Sequence, residues 1–224
     1  MISRLSTWWN ELTTDPLNFL ISAVIFAAAL LFSLIMHENA HGFVAWKCGD
    51  PTAKMFGRIT MDPRKHLDPV GALCMLFLGI GWARPVPVNP NNFRKRGRDT
   101  VLVSVAGIGM NLIIFIISTF LYVLMFTVPS FAVKGYIYKL LIYLMSFNIS
   151  LAVFNLLPIP PLDGYRLVNQ LLFKGQLSVS DRAMLIIRYG FLFICLTGVL
   201  GNAFSKVCNA CINGMISLFA GILL

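Results

Sequence analysis

Charge is what this sequence lacks most. Only 12% of its 224 residues are Asp, Glu, Lys or Arg, whereas soluble domains average about 25%. Hydrophobic residues make up 58% of the chain, which leaves too little polar surface for a protein that folds in water. The composition therefore excludes a soluble globular protein and predicts an integral, multi-pass membrane protein.

The sequence also lacks a hydrophilic stretch of domain length. We therefore expect a single domain over residues 1–224, with its core motifs over 33–170 and accessory helices over 183–224. The net charge of +9 does not indicate nucleic acid, because the basic residues cluster beside apolar runs. Loops beside membrane spans show this pattern, so the expected partner is the lipid bilayer and nucleic acid is excluded. The five cysteines are odd in number and mostly lie in apolar sequence, which indicates buried thiols.

Apolar runs without a charged residue are long enough for membrane-spanning helices, which need about 20 residues. The five predicted spans cover residues 17–36, 100–133, 140–157, 189–205 and 207–224. A further stretch, 69–81, would reach only about 20 Å as a helix, so we expect it to be re-entrant. The predicted fold class is an all-α polytopic helical bundle of about five spans plus this re-entrant element.

The distribution of basic residues favours this topology. With 69–81 re-entrant, 14 of the 18 basic residues fall on one side of the membrane. Arg4, Lys134, Lys139 and Lys206 are left on the other side. Positive residues collect in the cytoplasm, so five spans place the N-terminus outside and the C-terminus inside.

Two segments between the spans have strand-like or loop-like composition. Residues 54–61 mix β-tolerant residues with Gly57. Residues 82–90 (W-A-R-P-V-P-V-N-P) contain three prolines, which forbid a helix and fit an edge strand or an extended loop. We expect a small β or extended element beside the functional site.

The sequence H-E-N-A-H at 37–41 follows the first apolar run directly. On a helix, residues four apart share a face, so His37 and His41 can bind one zinc ion. Glu38 then lies beside the metal, where it can take a proton from a bound water molecule. Placing two imidazoles and a carboxylate in a helix long enough to span the bilayer costs free energy, which favours a functional role for all three side chains.

A catalytic zinc site needs three protein ligands and one open position, so a third ligand is required. His66 is the one other histidine, but Asp163 is the better candidate. It is the next-to-last residue of N-L-L-P-I-P-P-L-D-G at 155–164, where three prolines predict an unwound stretch at membrane depth. The alternative for Asp163 is an N-cap of the following helix.

Four further polar residues of these motifs fit more than one role. The Asn155 amide is placed equally well to stabilise an oxyanion or to satisfy freed backbone groups. Asn111 fits close helix packing with Gly107 and Gly109 better than chemistry. His66 and Asp68 fit positioning of the loop after the first helix better than catalysis.

The chain resembles the site-2 proteases, the intramembrane zinc metalloproteases of peptidase family M50. The motifs that carry the resemblance are H-E-N-A-H-G at 37–42, H-L-D-P-V-G at 66–71, W-A-R-P-V-P-V-N-P at 82–90, A-G-I-G-M-N at 106–111 and N-L-L-P-I-P-P-L-D-G at 155–164. Ile108 departs from the family pattern, in which proline often follows the Ala-Gly pair. The family's additional PDZ and CBS modules have no room in this chain.

The resemblance implies one zinc ion bound by His37, His41 and Asp163, with Glu38 as the catalytic base. It implies hydrolysis of peptide bonds in or near transmembrane segments of other proteins, in a prokaryotic cell membrane with the active site toward the cytoplasm. The leading alternative is a non-proteolytic metal-binding membrane protein or ion transporter, which would need no base. A membrane-anchored peptidase with a soluble catalytic domain is a second alternative, but the chain has no hydrophilic domain.

Overall fold

The computed structural model describes residues 12–68, 71, 84–129, 133–177, 179–198 and 201–223. Within these ranges most of the chain is helical and none of it forms a β-sheet. The helices are α1 (Pro16–Lys47), α2 (Thr52–Met55), α3 (Pro63–His66), α4 (Arg96–Leu124), α5 (Lys134–Asn155), α6 (Asp163–Phe173), α7 (Asp181–Thr197) and α8 (Gly201–Leu223). A 3-10 turn, Pro90–Asn92, precedes α4.

Four of these helices, α1, α4, α5 and α8, are long and apolar enough to cross a membrane. The predicted fold class, a polytopic helical bundle, is thereby confirmed. Helix α1 starts where its sequence predicts a start. Pro16 occupies the first helical position, and because it has no backbone N–H, no donor is left unpaired at that residue. The Asp15 carboxylate caps the helix by accepting the Asn18 N–H at 3.1 Å.

Polar side chains fix the register between α1 and α5 inside the bundle. Asn148 Nδ2 donates to Ser33 Oγ over 2.8 Å, and both side chains are buried. Lys139 Nζ donates to Ser22 Oγ over 2.7 Å near the other end of the pair. Because hydrocarbon offers no hydrogen-bond partners, such contacts hold apolar helices in one alignment. The two helices run parallel, and α4 lies antiparallel beside α1.

The direction of α8 corrects the predicted topology. Phe204, near the start of α8, contacts Phe154 near the C-terminal end of α5. Phe219, near the end of α8, contacts Phe120 near the C-terminal end of α4. Helix α8 therefore runs antiparallel to α5, and its end lies with the α4–α5 connection. The predicted direction of the last span was therefore wrong: the described end of α8 lies at the end of the bundle opposite to Asp163, and Lys206 lies nearer the end that holds Asp163.

The error came from the predicted span over 189–205, which is not one helix. Helix α7 ends at Thr197, followed by Gly198 in the left-handed conformation (φ 75°). Helix α8 then begins at Gly201. The sequence marks the Gly201-Asn202 pair as a candidate helix break, and the break found lies just before that pair. The predicted re-entrant stretch 69–81 lies outside the described residues except Gly71. Residues 54–61 form the end of α2 and a loop.

An extended segment, residues 84–89, lies beside the C-terminal part of α1, where the prolines predicted it. Arg84 N–H donates to the His66 carbonyl at 2.8 Å. The Arg58 guanidinium donates to the carbonyls of Arg84 and Pro85 at 2.8 and 3.1 Å. These bonds hold the first half of the extended segment to the loop after α2 and to the end of α3.

Asp50 holds the other end of the extended segment. Its buried carboxylate accepts the Asn89 N–H at 2.7 Å and the Asn92 Nδ2–H at 2.8 Å. Burial alone would raise the pKa of Asp50, but hydrogen bonds from Thr52, Asn92 and Asn89 outweigh burial and lower that pKa. The carboxylate is therefore ionised at neutral pH and acts as a fixed acceptor for this end.

Candidate metal centre

Helix α1 presents His37 and His41 on one face, as their spacing predicts. Both side chains are buried, at 6% and 8% exposure, and their Nε2 atoms are 3.0 Å apart. The rings meet edge to face at 79°. The two Nε2 atoms therefore point into one space from a single helix.

Asp163 reaches the same space from the unwound stretch between α5 and α6. Its Oδ2 lies 3.2 Å from His37 Nε2 and 3.0 Å from His41 Nε2. Gly164 permits this approach, because a Cβ there would lie 2.3 Å from the carbonyl oxygen of Leu156. The prolines unwind the chain, and the glycine lets α6 start against that unwound backbone.

The three atoms fit a metal ion. In a tetrahedral zinc site with bonds of about 2.0–2.1 Å, ligand atoms lie about 3.3 Å apart, close to the 3.0–3.2 Å found here. Among the described residues, these three form the cluster of His, Cys, Asp or Glu side chains that could hold an ion. The N-cap alternative for Asp163 does not hold, because Leu162 is the N-cap residue and Asp163 is the first residue of α6.

The surroundings of this cluster suit a cation at its centre. His41 Nδ1 lies 2.7 Å from the Val103 carbonyl oxygen, which can only accept, so Nδ1 donates and Nε2 faces Asp163. Asp163 is only 8% exposed, and an ionised carboxylate buried to this degree needs a cationic partner. A divalent cation supplies charge to an ionised carboxylate and two ring nitrogens at once.

Glu38 lines the same cavity and is held by the extended segment. Its Oε2 accepts the backbone N–H of Val86 at 2.8 Å. The cavity has a volume of about 140 Å³ and is also lined by Val88, Arg166 and the three clustered side chains. The base candidate and the metal-ligand candidates therefore share one polar pocket.

Asn155 also lines this cavity. Its Nδ2 donates to the Leu151 carbonyl at 2.9 Å, one turn back along α5. In this geometry the amide bonds to a carbonyl of its own helix and not to a backbone group freed by the unwound stretch. Donation to an oxyanion stays a prediction that would require the side chain to turn.

Asn111 has a contact that sequence reasoning missed. Its Nδ2 lies 3.0 Å from His37 Nδ1, and the side chain is fully buried. A Cβ at Gly107 would lie 2.4 Å from His41 Nε2, whereas one at Gly109 would meet nothing within 4 Å. Asn111 and Gly107 therefore face the histidines, and packing through Gly109 is not observed. Their four-residue spacing on a helix was the available signal.

His66 and Asp68 lie outside the cluster and organise the loop before the extended segment. His66 is buried, with Nε2 2.9 Å from the Thr60 carbonyl oxygen. Asn39 in α1 donates from Nδ2 to the same carbonyl at 2.9 Å. Asp68 accepts the Gly71 N–H at 2.9 Å. These contacts agree with the positioning role expected for both residues.

The fold and site define a polytopic membrane protein with a two-histidine, one-carboxylate cluster beside a glutamate. The sequence matches Peptidase family M50 over residues 25–197. The chain belongs to peptidase family M50.

Named relatives agree with this membership. "Putative zinc metalloprotease YwhC" of Bacillus subtilis (strain 168) is 42% identical over 180 residues, which cover 79% of this chain and 80% of that protein. "Putative zinc metalloprotease Rip2" of Mycobacterium tuberculosis is 35% identical over 163 residues, 70% of this chain and 61% of that protein. Rip2 of Mycolicibacterium smegmatis is 31% identical over the same length. No solved structure matches this chain.

Proposed function

We propose that this chain is a zinc-dependent intramembrane protease of the site-2 type, which hydrolyses peptide bonds in or near transmembrane segments of other proteins. The observation that carries the proposal is the convergence of His37, His41 and Asp163 within 3.0–3.2 Å, with Glu38 lining the same cavity. Family membership and the names of the relatives support the metalloprotease assignment.

His37 and His41, through Nε2, and Asp163, through Oδ2, would hold one zinc ion. Zinc, when bound, lowers the pKa of a bound water molecule and polarises a substrate carbonyl. Glu38 takes the proton from the attacking water and passes it to the leaving amine. An ion-binding protein without hydrolytic activity would not need this carboxylate.

The hydrogen bonds of Glu38 suit a base. Oε2 is occupied by the Val86 N–H, while Oε1 has no hydrogen-bond partner among the described residues. The side chain is partly buried, so one oxygen is oriented by the backbone and the other is available for a proton. A carboxylate held in this way does not have to reorganise before it accepts the proton.

The extended segment supports the proposed class of substrate. A transmembrane helix keeps its carbonyls in hydrogen bonds, so it must unwind locally before one can be attacked. Within the described part of the chain, the carbonyl of Val86 and both backbone groups of Val88 have no hydrogen-bond partner. Both residues line the cavity, so an unwound substrate segment can pair with them as an added strand.

We also propose that the site faces the cytoplasm of a prokaryotic cell. Lys47 at the end of α1 and Arg96 at the start of α4 mark the end of the bundle that holds the metal cluster. Lys134 and Lys139 lie near the start of α5 at the opposite end. The excess of basic residues beside the site supports this orientation.

The test is cleavage of a single-span model substrate by purified protein in liposomes. Glu38→Gln should keep zinc but lower turnover about 100-fold to 10,000-fold, the usual contribution of a general base. Asp15→Asn is the matched control, because it makes the same kind of change at the far end of α1 and still leaves a capping residue. Wild-type turnover by Glu38→Gln would refute its role as the base. Zinc binding without any cleavage by the wild type would favour the non-proteolytic alternative.

A further inference from the structure

One face of α4 is built around the two histidines of α1. Val103, Gly107 and Asn111 follow one another at four-residue spacing, so they share a face of that helix. Val103 and Asn111 are buried at 4% and 0% exposure, and a Cβ at Gly107 would meet both imidazoles within 2.6 Å. Each of the three residues therefore lies directly against His37 or His41.

The contact with His41 assigns its ring protons. Its Nδ1 lies 2.7 Å from the Val103 carbonyl oxygen, and a carbonyl oxygen accepts but never donates. Nδ1 therefore carries a hydrogen, and Nε2 is the nitrogen directed at Asp163, 3.0 Å away. The backbone of α4 thus orients this imidazole for binding through Nε2.

His37 has the same requirement but meets a side chain. If Nε2 binds the metal, the neutral ring carries its hydrogen on Nδ1 and needs an acceptor there. The atom at that position is Asn111 Nδ2, at 3.0 Å. The other end of this amide, Oδ1, is buried with no hydrogen-bond partner. Rotating the Asn111 amide by 180° exchanges Nδ2 and Oδ1. The rotation breaks no hydrogen bond made by Oδ1, and it places Oδ1 as an acceptor against the Nδ1–H of His37.

We propose that Asn111 is a positioning residue that accepts the Nδ1 hydrogen of His37 through Oδ1 and so directs His37 Nε2 at the metal. The inference rests on the proposed zinc site and adds the group that fixes its first ligand. Removing such a hydrogen-bond partner of a metal-binding histidine costs about 10-fold to 100-fold in metal affinity. A residue that serves only helix packing would change protein stability and leave zinc affinity unchanged.

The test measures the zinc dissociation constant of the purified full chain in detergent by chelator competition. Asn111→Leu removes the acceptor at similar volume, and we expect about 10-fold to 100-fold weaker binding. Asn111→Asp keeps an acceptor and should bind zinc at least as tightly as the wild type, since carboxylates are common partners of metal-binding histidines. The matched control is Thr119→Val. Thr119 is equally buried in α4 but donates to the Phe115 carbonyl of its own helix, away from the site, so its loss should leave the affinity unchanged.

Two results would overturn the inference. Wild-type zinc affinity in Asn111→Leu would show that His37 needs no partner on α4. An affinity loss of tenfold or more in Asn111→Asp would show that an acceptor at this position is not what His37 requires, and this variant decides the matter if the leucine variant does not fold. Absence of zinc binding by the wild type would refute the proposed function itself, which is a separate outcome.

Discussion

Gly107 lies where α4 comes closest to His37 and His41, and adding one methyl group there should disrupt the metal centre. The Cβ of Gly107→Ala would lie 2.4 Å from His41 Nε2 and 2.5 Å from His37 Cε1. Ordinary contacts of this kind are about 3.5 Å or longer, so the rings or the helix must move by about 1 Å. Metal sites tolerate ligand displacements of only about 0.2 Å.

We therefore expect Gly107→Ala to weaken zinc binding by about 100-fold or more, with loss of cleavage in parallel. Helix propensity alone predicts that Gly107→Ala stabilises the fold, because alanine is favoured over glycine in a helix by about 1 kcal/mol. Gly109→Ala is the matched control, since a Cβ there meets nothing within 4 Å. Chelator competition and the liposome cleavage assay measure both effects. Wild-type zinc affinity in Gly107→Ala would refute the close approach of α4 to the imidazoles.

Three further predictions address the supports of the site and the topology. Gly164→Ala should lower zinc affinity tenfold or more, because its Cβ would lie 2.3 Å from the Leu156 carbonyl oxygen. The hydrogen bonds that lower the pKa of Asp50 should stabilise the fold above about pH 4 and be lost as the pH falls through that lowered pKa. A pH titration of thermal unfolding that shows equal acid sensitivity in Asp50→Asn would contradict this. Single cysteines at Met55 and Gly221 should label from opposite sides of the membrane, with Val128 on the side of Gly221. Labelling of Met55 and Gly221 from one side would restore the five-span topology.

The chemistry of the site could be predicted from sequence because it depends on local patterns. The spacing of His37 and His41 places both on one helical face wherever that helix packs. The prolines of 158–161 unwind the chain just before Asp163, and those of 85–90 keep the extended segment from becoming helical. Each pattern acts within about ten residues, so the rest of the fold did not have to be known.

The missed features depend on contacts between distant residues. Asn111 and His37 are 74 positions apart, and nothing in either segment alone selects this pairing over packing between helices. The break before α8 lies between Thr197 and Gly201, but the direction of α8 shows in its contacts with α4 and α5. These contacts join residues at least 50 positions apart, so the local sequence does not contain them.

The metal content of purified wild type and Asp163→Ala tests the central claim most directly. The account predicts one zinc ion per wild-type chain and a sharp loss of zinc in Asp163→Ala, with partial recovery in Asp163→Glu, because the site needs both a coordinating oxygen and its negative charge. Asp68→Ala, which removes a carboxylate outside the cluster, should keep its zinc. A full zinc complement in Asp163→Ala would contradict the account and direct the search for the third ligand to His66.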